Sequence, residues 1–302
     1  MRLDIRYRCT FEYDELVRES QNELRACPAS DARQTLLNYR VVTYPTARVV
    51  SFTDYWGTRV DAFGVREPHI YLEVVAEATV EMVPAPLITT TANFDMLAAD
   101  GFANDQHEYL ERSAHTDWDE VVASEAAKQL DLAGPDVVSV VLGIHRRVGS
   151  ILSYQQGSTY VGVPVSDLID RGTGVCQDYA HVAIAMCRAI GIPARYVSGY
   201  LFAESDETGA DAEGDVVAVQ THAWFEAAVP GLGWLALDPT NRLEVGLRHV
   251  KIGHGRDYDD VQPLRGAYTG SKEAALEVSV EMRRMVGSSH LQTMQQIQQQ
   301  QQ

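Results

Sequence analysis

A stretch from Gly172 to Leu201, GTGVCQDYAHVAIAMCRAIGIPARYVSGYL, constrains the fold more than any other segment. A glycine-bearing turn precedes Cys176, an apolar helical pattern follows it, and Gly191 and Pro193 end that pattern. The apolar positions are Tyr179, Val182, Ala183, Met186 and Ile190. A helix that begins at Cys176 directs its first backbone N–H groups towards the thiol, which favours a thiolate and offers donors to an oxyanion. Because such a cysteine could also be structural, its role depends on whether the chain supplies a base.

The first part of the chain has the two-residue period of half-buried strands. Apolar and polar residues alternate from Arg2 to Tyr13 and again through HIYLEVVAEATVEM, residues 69–82. Shorter strand candidates lie around Leu36–Tyr44 and Val49–Tyr55. Many short strands without a helical period predict an N-terminal β-sandwich domain over residues 1–84.

A helical period replaces the strand period from about Asn93. Asp117 is the predicted cap of one helix, Pro135-Asp136 begins another, and Ser166 is the predicted cap of a third. Strand patterns return after the central helix in ARYVSGYLF, VVAVQTHAWFEAAV, GWLALDP, HVKIGH and LEVSVEM. Helices followed by strands predict a second domain over residues 85–286 and an α+β chain as a whole.

Two further segments are interpreted from their composition. The acidic run ESDETGADAEGD, between Phe202 and Val216, lacks the ligand order of an EF-hand loop, so we interpret it as a solvated connection. The glutamine-rich tail, residues 287–302, is predicted to be disordered. A glutamine tract could serve as an acyl donor, but its composition favours an inert tail.

Charge and cysteine content exclude several functional classes. The net charge of −17 argues against a nucleic-acid or anionic-membrane partner, because both require a basic surface. No apolar run approaches a membrane span, and the start, MRLDIRYRCTFEYDE, lacks the apolar core of a signal peptide. Cys9, Cys27, Cys176 and Cys187 show no metal-ligand spacing. We therefore expect a cytoplasmic protein that keeps Cys176 as a free thiol and needs no metal or other cofactor.

A histidine and an aspartate on two successive predicted strands supply the base. His222 lies in VQTHAWFEAAV, Asp238 lies in WLALDP, and the turn Pro230–Gly233 separates them. An antiparallel hairpin with this turn brings Asp238 within roughly one to three rungs of His222. Each residue alone is more typical of a structural role. Together with Cys176 they form the nucleophile, base and orienting group that cysteine acyl-transfer chemistry needs.

These segments resemble the transglutaminase-like superfamily, which shares the papain-like thiol-enzyme core. The resemblance runs through GVCQDYAHVAIAMCRAIGIPARYVSGYL, THAWFEAAVPGLGWLALDPTNR and HVKIGHGRDYDDVQPLRG, and the first domain resembles the N-terminal β-domain of the bacterial subgroup at SQNELRACP and DYWGTRVDAF. It implies a papain-like or transglutaminase-like catalytic domain, with a helical half that carries the cysteine and an antiparallel sheet after it. It also implies Cys176 as nucleophile, His222 as base and Asp238 as orienting group.

The resemblance implies a reaction class but not one reaction. Its members include amide cross-linkers, deamidases, peptidases and inactive proteins. The expected function is attack of the thiol on an amide of a protein or peptide substrate, through a thioester that an amine or water resolves. Two alternatives stay open: a cysteine peptidase or amidase on the same core, and a non-catalytic module whose β-domain binds a partner. The oligomeric state is not indicated.

The second donor to the oxyanion also stays open. Animal transglutaminases use an upstream tryptophan for this purpose, and no tryptophan lies between Trp118 and Cys176. Tyr154, Gln156 and Tyr160 are the candidates to replace it.

Several other residues receive a structural interpretation. Gln177 is expected to help shape the cleft, and Trp224 to pack beneath the triad rather than bind substrate. His181 and Cys187 are expected to serve packing. His249 stands too far from other potential ligands in the sequence to argue for a metal.

Overall fold

The computed structural model describes residues 1–84, 91–202 and 216–285, so the acidic run and the glutamine-rich tail lie outside the described residues. The strands are β1 (Arg2–Val17), β2 (Glu19–Leu24), β3 (Gln34–Tyr44), β4 (Val49–Thr53), β5 (Arg59–Val65), β6 (His69–Met82), β7 (Ser153–Tyr154), β8 (Thr173–Gly174), β9 (Ala194–Leu201), β10 (Val216–Val219), β11 (Thr221–Val229), β12 (Gly233–Asp238), β13 (Leu243–Glu244), β14 (His249–Gly255), β15 (Leu264–Thr269) and β16 (Ala274–Arg284). The α-helices are α1 (Phe94–Leu97), α2 (Asp100–Asp105), α3 (Glu120–Ala133), α4 (Val137–Ile151), α5 (Val165–Arg171) and α6 (Cys176–Ala189). The predicted α+β class is confirmed.

Two antiparallel sheets form a β-sandwich around one apolar core. One sheet has the order β10-β16-β1-β6-β3 and the other the order β15-β2-β5-β4. Alternate residues point inwards, so Leu3 of β1 and Val74 of β6 meet Leu24 of β2 and Phe63 of β5. The alternation read from the sequence therefore marks the buried face of this sandwich.

The C-terminal strands complete this sandwich. β16 pairs with β1 from Leu3↔Arg284 to Tyr13↔Ala274, and β15 pairs with β2. The predicted division into residues 1–84 and 85–286 therefore differs from the strand pairing, which places β10, β15 and β16 in the sheets of the first region. A two-residue period identifies a strand and its buried face, but it carries no information about which strand is the neighbour.

The segment VVAVQTHAWFEAAV also differs from its prediction as one strand. It divides at Gln220 into β10, which pairs with β16 of the sandwich, and β11, which pairs with β9 and β12. The chain thus crosses from one sheet to the other immediately before His222.

The second unit packs helices against a five-stranded antiparallel sheet of order β13-β12-β11-β9-β14. Helix α6 lies at its centre, with α3, α4 and α5 around it and β11 beneath it. Its apolar side chains are buried with those of α4 and β11, which holds the helix start close to the sheet. None of the helices in the three described ranges is long and apolar enough to cross a membrane.

The helix starts agree with the sequence in part. Helix α4 starts at the predicted Pro135-Asp136 pair, with Asp136 as its cap. Asp119 rather than Asp117 caps α3, by accepting the backbone N–H groups of its first turn. Helix α5 follows Pro164, so Ser166 lies inside its first turn and is not a cap. Asp117 and Asp119 have the same capping propensity, so the sequence alone does not decide which of them caps the helix.

Candidate active site

Cys176 is the first residue of α6, and it is held there by a local hydrogen-bonded turn. Asp178 accepts the backbone N–H of Val175 at 2.8 Å and the hydroxyl of Thr159 at 2.6 Å. Cys176 is half-buried, whereas the other three cysteines are buried, and all four are free thiols. The thiol therefore lies at an accessible helix start, where the N–H groups of Cys176 and Gln177 precede the first N–H that is bonded within the turn, that of Asp178 to the carbonyl of Val175.

His222 on β11 and Asp238 at the end of β12 are joined directly. The Nε2 atom of His222 lies 2.7 Å from Oδ2 of Asp238. The pairing Phe225↔Leu237 places Asp238 level with Trp224, two positions from His222, which agrees with the spacing expected of the hairpin. Because Nε2 faces the carboxylate, Nδ1 is the ring nitrogen left for the hydrogen bond between His222 and Cys176.

The carboxylate of Asp238 accepts five hydrogen bonds in full burial. Oδ1 accepts the backbone N–H groups of Thr240 at 3.0 Å and Asn241 at 3.2 Å. Oδ2 accepts His222, the side-chain amide of Asn241 at 2.8 Å and Nε2 of His249 at 3.1 Å. Burial alone would raise the pKa of Asp238, but the hydrogen bonds from His222 and His249 lower it far below its usual range. The group is therefore a fixed anion.

The tautomer of His249 follows from its contacts. The backbone N–H of Gly246 donates to Nδ1 of His249 at 3.2 Å, so Nδ1 carries no proton in the neutral ring and Nε2–H donates to Asp238. Burial lowers the pKa of His249 and outweighs the raising effect of Asp238. The neutral His249 ring can therefore donate a hydrogen bond to Asp238 while the negative charge of the carboxylate is balanced by protonated His222 alone.

Helix α4 fixes the backbone at Asp238 and in the turn that follows it. His145 donates from Nε2 to the carbonyl oxygen of Asp238 at 3.0 Å, and the guanidinium of Arg242 donates to the carbonyl of Gly149 at 2.7 and 3.0 Å. A Cβ atom at Gly149 would lie 2.9 Å from the carbonyl oxygen of Pro239, so the close approach of helix and strand requires a glycine there.

The charge on His222 is set by opposing effects. Burial lowers its pKa, but hydrogen bonds to Asp238 and Cys176 and the charges of both residues raise it, to about 10. The ring is therefore protonated near neutral pH, where it stabilises negative charge on the sulfur of Cys176.

The three candidates for the second oxyanion donor, Tyr154, Gln156 and Tyr160, differ in how they are placed relative to Cys176. Tyr154 pairs with Gly174, two residues before Cys176, and its pKa is raised by burial first and by the charge of Cys176 second. Gln156 and Tyr160 are exposed further along the same loop. Tyr154 is exposed as well, but it is the candidate that is paired next to the Cys176 turn and affected by the charge of the sulfur, so its role as oxyanion donor stays a prediction.

Gln177 and Trp224 lie next to the triad residues. Gln177 is half-buried directly after Cys176. The ring of Trp224 is fully buried, with its centroid 5.4 Å from that of His249 and 6.2 Å from that of His222. Trp224 packs against both imidazoles and so limits their movement.

His181 and Cys187 are both buried in α6. The backbone N–H of Tyr258 donates to Nε2 of His181 at 3.3 Å, and the His181 ring stacks on that of His115 at 5.4 Å between centroids. Burial lowers the pKa of His181 and raises that of Cys187 to about 12, so both remain neutral and serve packing near pH 7.

Two groups of potential metal ligands occur in the described ranges. His222, Asp238 and His249 form one, but their ligand atoms already hydrogen-bond to one another. His115, Asp257 and Asp259 form the other, and both oxygens of Asp257 already accept backbone N–H groups. The expectation that no metal is needed stays a prediction.

Sequence reasoning missed His249, Asn241 and His145. The role of Asn241 was predictable from the sequence, because an amide side chain three residues after Asp238 can fold back and donate to it. His249 gave only a weak signal, a histidine at the first position of a strand with buried residues. Its contact with Asp238 spans the sheet from β14 to β12 and could not be read from spacing.

Comparisons with known proteins agree with this geometry. Residues 125–239 match the transglutaminase-like superfamily, and residues 3–81 match the bacterial transglutaminase-like N-terminal region. An uncharacterized protein of Mycobacterium leprae is 37% identical over 279 residues, which cover 91% of this chain and 96% of that protein. This chain belongs to the transglutaminase-like superfamily. The family resemblance read from the sequence is confirmed.

Two further proteins resemble this chain, one over a part of it and one over nearly all of it. A protein-glutamine gamma-glutamyltransferase of Pseudomonas aeruginosa is 37% identical over 105 residues, which are 32% of this chain and 15% of that enzyme. The crystal structure of a candidate cysteine protease from Cytophaga hutchinsonii superposes with a TM-score of 0.72 over 94% of this chain and 97% of that one, at 23% identity. The latter shows that the fold of the whole chain recurs in another protein.

Proposed function

We propose that this protein is a thiol enzyme that acylates Cys176 with the carbonyl group of a protein or peptide amide and then transfers the acyl group to an amine or to water. The observation that carries the proposal is the chain of contacts from Asp238 through His222 to Cys176. The carboxylate is fully buried with five donors, the imidazole is protonated, and the thiol is accessible at a helix start.

The first half-reaction forms the thioester. The sulfur of Cys176 attacks the amide carbonyl carbon, and the electrons of the C=O bond move to the oxygen, where the backbone N–H groups at the start of α6 and the hydroxyl of Tyr154 donate to it. His222 then gives its proton to the departing nitrogen as the C–N bond breaks. Asp238 stays ionised throughout and holds the ring in the required orientation.

The second half-reaction releases the acyl group. An incoming amine or water gives a proton to neutral His222 as it attacks the thioester carbon. The C–S bond breaks, and the thiolate and imidazolium are restored. A glutamine side chain with an amine gives an isopeptide bond, whereas a peptide bond with water gives proteolysis, so the acceptor that the cleft admits decides the product.

The proposal is tested with a glutamine-containing protein substrate and a fluorescent primary amine. Purified wild type is expected to incorporate the amine into the substrate or to release ammonia or peptide fragments, and Cys176→Ala to do none of these. Fragments without amine incorporation would favour a peptidase. Absence of all products, together with a thiol no more reactive than free cysteine, would favour the non-catalytic module.

The same proposal includes the kind of partner that the protein binds and the compartment in which it acts. We infer a protein or peptide substrate, no nucleic-acid or membrane partner, and a cytoplasmic location, on the basis of the net charge and the free thiol.

A further inference from the structure

Strand β14, which carries His249, is an edge strand of the second sheet, and the sandwich covers its open edge. At Lys251 the side-chain amide of Gln34 accepts the backbone N–H at 2.8 Å and donates to the backbone C=O at 2.7 Å. The backbone N–H of Ala29 donates to the same carbonyl at 2.9 Å. The Gln34 side chain thus bonds to both the N–H and the C=O of Lys251, the two groups that a further strand would otherwise bond at this edge. Gln34 is itself buried.

The loop before β14 is held from the same side. The guanidinium of Arg33 donates to the carbonyl of Val245, and Leu247 packs against the core of the sandwich. Between these anchors the backbone N–H of His249 donates to the carbonyl of Gly246 at 3.1 Å, and the N–H of Gly246 donates back to the His249 ring. These two bonds hold the His249 ring against its own turn.

The residues after His249 are anchored as well. Val250 and Ile252 are buried in the core of the sandwich, and Nζ of Lys251 donates to both oxygens of Glu226 at 2.7 and 2.9 Å. The residues on both sides of His249 thus depend on contacts with the sandwich, whereas the Lys251 side chain is anchored within its own sheet.

We propose that the N-terminal β-sandwich is a positioning element of the active site, which acts through Gln34 and His249 on the carboxylate of Asp238. This inference rests on the proposed function and gives the sandwich a task other than binding a partner. Oδ2 of Asp238 faces His222 on one side and His249 on the other. When β14 moves, the carboxylate loses a donor and turns, and the His222 ring loses the orientation that places Nδ1 at the thiol.

The test measures the rate of alkylation of Cys176 by iodoacetamide between about pH 5.5 and pH 8 in the full chain. Near pH 6, Gln34→Met and His249→Phe are expected to react about 10- to 100-fold more slowly than wild type, the size of effect that a displacement of about 1 Å produces in a catalytic group. His249→Gln retains an amide donor and is expected to recover most of the wild-type rate.

Tyr39→Phe is the matched control. Tyr39 lies on the same strand as Gln34, and its hydroxyl donates to buried Asp61 at 2.6 Å rather than to the backbone of β14. A purely structural role of Gln34 predicts that Gln34→Met and Tyr39→Phe lower the thermal midpoint and leave the alkylation rate unchanged. That result would overturn the inference.

The failures of the two proposals are distinguishable. Wild type that reacts no faster than free cysteine at pH 6 contradicts the proposed function, and the positioning role falls with it. A fast wild type with equally fast Gln34→Met and His249→Phe contradicts the positioning role alone. If His249→Phe does not fold, the alkylation rate of Gln34→Met alone decides between the outcomes. A slower rate than wild type supports the positioning role, and an unchanged rate contradicts it.

Discussion

The Nε2 atom of His249 lies 3.1 Å from Oδ2 of Asp238, although their strands stand three places apart in the sheet. The same oxygen accepts Nε2 of His222 at 2.7 Å. A carboxylate held by two imidazoles cannot rotate without breaking one of the two bonds. The orientation of the proposed base is therefore set by a residue far from it in the sequence.

Asp238→Asn is expected to lower the reactivity of Cys176 by about three to four orders of magnitude. The amide replaces one of the two carboxylate oxygens by an NH2 group, which cannot accept the two or three hydrogen bonds made at that position, and it removes the charge that orients His222. Iodoacetamide alkylation at pH 7 measures the effect, with Asp167→Asn on the exposed face of α5 as the control. A rate within threefold of wild type would refute the orienting role of Asp238.

The contribution of His222 to stability is expected to decrease at alkaline pH. Its pKa is raised from an ordinary value of 6.5 to about 10, so between these values the folded state holds a proton that the unfolded state has lost. The stabilisation is complete below about pH 6.5 and is lost as the pH rises through about 10. Urea unfolding should therefore show the difference in unfolding free energy between wild type and His222→Gln decreasing from about pH 7 to pH 10. A difference that stays constant over this range would show that His222 is not protonated in the folded state.

Glu226→Gln is expected to destabilise the fold by about 3–5 kcal/mol. Glu226 is buried and accepts both Lys251 and Arg195, at 2.7 Å from each, and these cations lower its pKa to about 2 against the opposing effect of burial. The variant leaves the buried Lys251 and the partly buried Arg195 without their anion, whereas Lys251→Met leaves Glu226 paired with Arg195 and should cost less. Urea unfolding of both variants tests this order, and equal losses would contradict it.

An exposed ion pair provides the comparison for Glu226. Glu77 pairs with Arg6 on the outer face of the sandwich, where both side chains are partly exposed to solvent. Glu77→Gln should change the free energy of unfolding by less than about 1 kcal/mol.

Gly199→Ala is expected to destabilise the protein by about 1–3 kcal/mol and to slow alkylation of Cys176. Gly199 pairs with His222 on the neighbouring strand, and a Cβ atom there would meet the carbonyl oxygen of Val250 and lie 2.5 Å from the ring of Trp224. Displaced Trp224 would press on both imidazoles. Gly101→Ala, where no atom lies within 4 Å of the added Cβ, is the control for the substitution itself. Unchanged stability and unchanged alkylation would show that the site tolerates the added methyl group.

The sequence predicted those parts of the site whose placement depends on local structure. Cys176 precedes a helix with clear end signals, and His222 and Asp238 belong to one hairpin, so a few residues on either side decide where each lies. Family, fold class and the contact between His222 and Asp238 could all be obtained in this way.

The rest depends on contacts between distant segments. Gln34 reaches Lys251 across 217 residues, and His249 reaches Asp238 from another edge of the sheet. A two-residue period assigns β15 and β16 as strands but not their partners, so the division between the two units could not be placed correctly from periodicity. Hydrogen bonds of this kind follow from the assembled sheets and leave no pattern in either segment alone.

The most direct test of the thioester claim is the reaction of the protein with p-nitrophenyl acetate, followed by mass spectrometry of its peptides. Wild type is expected to release a burst of about one p-nitrophenol per chain and to carry an acetyl group on Cys176. His222→Ala should show a much slower burst and Cys176→Ala none. A burst that persists in Cys176→Ala, or acetylation confined to other residues, would contradict the assignment of Cys176 as the nucleophile.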